Sequence, residues 1–60
     1  MASYKFEIFK DSVGEFRFRF KSPNGQTVAQ SQGYTTKQSA IDGATVIKNN
    51  AKDAEIDVLS

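Results

Sequence analysis

The sequence predicts an α+β fold: an antiparallel meander of three strands, one helix packed on its apolar face, and a final strand, in the order β-β-β-α-β. Three observations carry this. Phe16-Arg17-Phe18-Arg19-Phe20 alternates strictly, and a strand points successive side chains to opposite faces. The segments Asp11-Ser12-Val13-Gly14 and Ser22-Pro23-Asn24-Gly25 flank that strand with the same turn chemistry. Beyond them Ala40, Ile41, Ala44, Ile47 and Ala51 recur at three- and four-residue spacing, a helical stripe.

Each element follows in turn. Tyr4 to Lys10 reads as the first strand, with Tyr4, Phe6 and Ile8 on one side and Lys5, Glu7 and Phe9 on the other. Asp11 then opens a tight turn and Gly14 supplies the left-handed residue that such hairpins need. Glu15 to Lys21 is the second strand. Ser22 and Pro23 open the second turn, and Gly25 closes it. Gln26 to Gln32 reads as a weaker third strand, Thr27, Ala29 and Ser31 alternating with Val28, Gln30 and Gln32. Its small residues suit either close packing or an edge.

Gly33 ends that strand, and Thr35 or Thr36 caps a helix; Thr35 with Gln38 would make a capping box. Gly43 within the helix costs ~1 kcal/mol relative to Ala, and a close approach of helix to sheet is one reason to carry it. Asn49-Asn50 stops the helix. Ala54 to Leu59 alternates again, Ile56 and Val58 against Glu55 and Asp57, and reads as the fourth strand. The expected core is Phe6, Ile8, Phe16, Phe18, Phe20, Ile41, Ala44, Ile47 and Val58.

Residues 1–60 are read as a single domain. A domain this short buries only ~60 % of its unfolded surface, and small folds add disulfides, a metal or self-association. The chain has no Cys and no His, which leaves self-association. The element count agrees. A helix is about 10 Å across and strands lie about 4.8 Å apart, so one helix shields roughly two strands. The fourth strand also needs a pairing partner. Both deficits disappear if two copies join their sheets and exchange carboxy-terminal strands, so a homodimer is expected.

The ordered set Phe6-Glu7-Ile8-Phe9-Lys10-Asp11, Gly14-Glu15-Phe16-Arg17-Phe18-Arg19-Phe20-Lys21, Asn24-Gly25, Gly33-Tyr34, Thr36-Lys37, Ala40-Ile41, Gly43 and Val46-Ile47-Lys48-Asn49 resembles the YegP-like family, small bacterial domains of unknown function. The resemblance covers roughly residues 4–52. It implies a β(3)-α-β unit, present once here, of which two copies build one continuous sheet and swap their last strands. It brings no catalytic or ligand residues.

Catalytic chemistry finds little footing. The usual base for a nucleophile, His, is absent. Thr45 and Lys48, three apart on the helix, read as ordinary helix surface rather than a hydroxyl–lysine pair. Glu7 and Glu15 read as members of cross-strand salt-bridge ladders rather than paired carboxylates. The four glycines are isolated, so no phosphate loop is present. A non-enzymatic protein without metal or cofactor is expected. Met1 to Lys5 contains no apolar run of the signal-peptide kind, and no stretch reaches the roughly 20 residues of a membrane span. A soluble cytoplasmic protein without membrane contact is expected.

The candidate interaction face is the open side of the sheet, bearing Lys5, Phe9, Arg17, Arg19 and Lys21, with Glu7 among them. A protein partner is the favoured occupant. Nucleic acid is the alternative, because aromatics among cations can stack bases while the cations meet phosphates. Only Phe9, with Tyr34 as a second candidate, could supply that stacking, and Glu7 would repel the backbone.

Overall fold

A computed structural model describes residues 3–60; residues 1 and 2, part of the expected domain and of its amino-terminal reading, lie outside the described residues. The elements are β1 (Lys5–Lys10), β2 (Phe16–Lys21), β3 (Thr27–Gln30) and α1 (Lys37–Asn50), followed by one 3-10 turn, Ala51–Asp53. The sheet order is β1-β2-β3, antiparallel throughout. The meander and the helix stand where the residue pattern puts them.

Both turns close by the chemistry their residues carry. The Gly14 N–H donates to the Asp11 carbonyl at 3.1 Å, and the Gly25 N–H donates to the Ser22 carbonyl at 3.0 Å. The two glycines have φ of 85° and 88°, the left-handed region that a side chain disfavours. Asp11 also accepts from the Val13 and Glu15 amides, at 3.0 and 2.9 Å, which stiffens the first turn.

β3 departs from simple alternation. Phe20 faces Ala29 but Lys21 faces Thr27, so Val28 is an extra residue in a bulge and lies 61 % exposed. Thr27 and Ala29 therefore occupy opposite faces, contrary to their period-two reading. The strand ends at Gln30 rather than Gln32 because Ser31 changes the ladder: the Phe18 N–H donates to the Ser31 hydroxyl at 2.9 Å. The chain rejoins β2 at Tyr34, which exchanges two backbone bonds with Phe16 at 2.8 and 2.7 Å.

The helix begins one residue later than a Thr35–Gln38 box would set it. Thr36 is the N-cap, its hydroxyl accepting from the Ser39 N–H at 3.1 Å. The α-helix ends at Asn50, as the Asn pair implies, and Asn50 turns its side-chain amide back to the Val46 carbonyl at 2.8 Å.

α1 packs on β1 and β2 and, among the described residues, does not reach β3, whose four residues are all exposed. Among the described residues only Phe18, Ala40 and Ala44 are buried. Phe6, Ile8, Phe16, Phe20 and Ile41 are half-covered around them. The aromatics interlock: Phe6 meets Phe18 edge-on at 5.8 Å, and Tyr34 stacks on Phe18 at 6.3 Å. Gly43 sits against this cluster, which accounts for a glycine in the helix interior.

The fourth strand does not form within the single chain. Residues 54–60 take no regular structure, although Ala54 is extended (φ −74°, ψ 141°). Val58, expected in the core, is 82 % exposed, and Ile56 and Leu59 are more exposed still. Ile47 is likewise 42 % exposed. The three tail residues share one physical reason: a strand needs a neighbour's hydrogen bonds and a surface to cover, and nothing among the described residues brings either to the tail. Ile47 stands on the helix and is exposed because it opens on a groove between helix and sheet.

Candidate functional site

The register of β1 on β2 brings the sequence-derived residues onto one face. Lys5 lies opposite Lys21, Glu7 opposite Arg19, and Phe9 opposite Arg17. These pairs share the face away from the helix because Phe6–Phe20 and Ile8–Phe18 take the other.

The face is cross-linked. Glu7 is its hub, 2.8 Å from Arg19 Nε, 3.4 Å from Lys5 Nζ and 4.0 Å from Lys21 Nζ. The hydrogen bond from Arg19, aided by both lysines, holds the Glu7 carboxyl below its ordinary value despite some desolvation. Arg19 also lies over the Phe9 ring, 4.4 Å from its centroid. Arg17 donates to Asp11 at 2.7 Å and to the Ser31 carbonyl at 3.0 Å, tying the first turn to the end of β3. That bond and the amides of Glu15 and Val13 hold the Asp11 carboxyl low as well.

Glu7 thus joins a salt-bridge ladder. Glu15 is not its partner: its carboxylate lies over Gly33. Thr45 spends its hydroxyl on the Ile41 carbonyl at 2.8 Å, as plain helix surface does. Tyr34 faces the helix and cannot serve the open face, so Phe9 is the aromatic there, covered by Arg19. Asp11 was legible only as a turn residue. Its role as partner of Arg17, six positions on, follows from the hairpin closing.

A second surface lies on the opposite side. A groove of about 630 Å³ runs between the helix and the helix-facing side of β1 and β2, with Tyr4, Phe6, Ile8, Phe20, Ile41 and Ile47 among its walls and Lys5 and Lys48 also lining it. Tyr4 stacks on Phe20 at 5.4 Å and forms part of the rim. Among the described residues, β1 is paired on one edge only. No cluster of three or more His, Cys, Asp or Glu able to hold a metal ion occurs among the described residues, and no helix there is long and apolar enough to cross a membrane.

Residues 11–57 match the family model described as a domain of unknown function, DUF1508. The chain belongs to the DUF1508 family. This is the family that the YegP-like resemblance pointed to, also called UPF0339, and the match runs past residue 52 into the tail. A UPF0339 protein of Agrobacterium fabrum is 52 % identical over 52 residues, which are 87 % of this chain and 84 % of that protein. One from Methanosarcina acetivorans is 46 % identical over 55 residues, covering 92 % of this chain and 95 % of the other. A Stutzerimonas stutzeri UPF0339 protein, described as lying in the ptx operon 5' region, is 48 % identical over 48 residues; these are 80 % of this chain but only 43 % of that longer protein. An NMR solution structure of a Haloferax volcanii protein superposes with a TM-score of 0.86 at 36 % identity, covering 97 % of this chain and 98 % of its own. The Haloferax volcanii protein shares this α+β frame, and the family description assigns no activity.

Proposed function

We propose that the protein is a non-enzymatic homodimeric interaction module, in which two copies join their sheets by exchanging the segments after Asp53. One observation carries this reading. An apolar groove lies between helix and sheet over β1, whose outer edge is unpaired among the described residues, while an apolar-alternating tail stands open, Ile56 at 92 % and Val58 at 82 % exposure. An edge strand with unmet backbone groups is a template for another strand. The thin core adds weight, since among the described residues only one large side chain, Phe18, is buried. The length of the Stutzerimonas stutzeri relative, more than twice the matched segment, suits two such units in one chain.

The assembled sheet would present Lys5, Phe9, Arg17, Arg19 and Lys21 twice, on one side. A protein partner docked on that face is the reading we prefer. The cysteine-free composition supports a cytoplasmic setting. Weak nucleic-acid binding is the second reading, favoured by four cations on that face against Glu7 and Asp11. Against it stands Phe9, whose ring is already covered by Arg19.

Light scattering over a dilution series tests the dimer. The full chain should have twice the monomer mass and should lose stability on dilution, because folding and association are linked. A chain ending at Asp53 should be monomeric. A truncated chain that stays a folded dimer refutes the exchange.

A further inference from the structure

Resting on that dimer reading, we infer that the tail of the second copy is recognised by charge as well as by apolar burial, with Glu55 and Asp57 docking beside Lys5. The receptor side has a charge surplus. Glu7 is one carboxylate among Lys5, Arg19 and Lys21, at 3.4, 2.8 and 4.0 Å. It balances one of three cations and leaves two. Lys5 is the most open of them, its side chain 62 % exposed, and it stands on β1, whose outer edge is unpaired.

The tail supplies the complement. A strand laid along β1 with Ile56 and Val58 in the groove necessarily turns Glu55 and Asp57 to the opposite face. That is the face of Lys5 and Lys21. Two acids meet two uncompensated cations, and Lys5, next to the added strand, is the first they reach.

This pairing also selects the register. A slip by one residue puts the acids into the apolar groove and Ile56 and Val58 into water. A slip by two along β1 moves the acids from Lys5 towards Glu7, where like charges repel. The edge is therefore a receptor for an acid–apolar–acid–apolar strand, and residues 55–58 of this chain have that pattern.

The test measures the dimer dissociation constant of the full chain by sedimentation at low and high salt. Glu55→Lys with Asp57→Lys should weaken the dimer roughly tenfold at low salt, and the difference should shrink as salt screens it. Adding Lys5→Glu should recover most of the loss. All three positions are exposed, so the monomer fold tolerates the changes. A dimer indifferent to the reversed tail, or one that Lys5→Glu does not rescue, overturns this inference and leaves the exchanged dimer standing. A parent chain that is monomeric at every concentration overturns both.

Discussion

Gly43 and Phe18 meet at the closest approach of helix and sheet: a Cβ placed on Gly43 would stand 3.1 Å from Phe18 Cε2 and 2.7 Å from the Tyr34 hydroxyl. Alanine in an open helix position gains about 1 kcal/mol over glycine. Here it must push on a ring that is itself stacked, and overpacking costs about 1–3 kcal/mol. Gly43→Ala should lower stability by about 1 kcal/mol net, read from urea midpoints. Adding Tyr34→Phe removes the nearest atom and should restore part of the loss. A Gly43→Ala protein that is more stable than the parent means the close approach is absent.

Phe18 is the one large side chain buried among the described residues, at 6 % exposure, and it touches both Phe6 and Tyr34. Phe18→Ala should cost about 3–5 kcal/mol. That is most of the stability of a small domain, so circular dichroism should show an unfolded chain at room temperature. Val28→Ala, in the exposed bulge, should leave the melting curve nearly unchanged.

Acid should weaken the fold through Glu7 and Asp11. Their carboxyls sit below their ordinary values of 4.5 and 3.8, Glu7 chiefly through Arg19 and Asp11 chiefly through Arg17. In the window below those values the unfolded chain binds more protons, so stability falls with pH there. The contribution is complete above the ordinary values and is lost as pH drops through the depressed ones. Urea midpoints taken from neutral pH downward should fall less steeply for Glu7→Gln and Asp11→Asn. An acid limb unchanged in both variants would show that the two carboxylates are not held by their cations.

Arg17 and Lys5, both on the open face, should separate in their effects. Arg17→Ser removes the tie between Asp11 and Ser31 and should lower the melting temperature. Lys5→Ser, at an exposed site, should hardly move it at high salt, where the pairing of Lys5 with the partner's tail is screened. Nucleic-acid binding is therefore best probed with Lys5→Ser. If RNA binds this face, affinity for single-stranded RNA should fall steeply as salt rises, and the variant should flatten that slope. Binding equal in parent and variant at every salt concentration excludes Lys5 from a nucleic-acid site.

The sequence by itself determined the local elements. Phe16 to Phe20 can be a two-faced strand only one way, since covalent geometry turns each side chain opposite to the last. Gly14 and Gly25 mark the turns because their backbone takes a conformation that side chains resist. The same alternation was enough to put Lys5, Phe9, Arg17, Arg19 and Lys21 on one face. Tertiary structure decided what each group meets. The bulge at Val28 and the return of Tyr34 to Phe16 depend on how β3 fits against β2, and residue spacing carries no trace of that fit. Thr36 rather than Thr35 caps the helix, its hydroxyl being the one that accepts from the Ser39 N–H. Asp11 gained Arg17 only because the hairpin closed. The tail has the pattern of a strand, but pattern supplies no partner. Ile56 and Val58 stay in water because a strand exists only where another edge accepts its hydrogen bonds, and one chain leaves them without it.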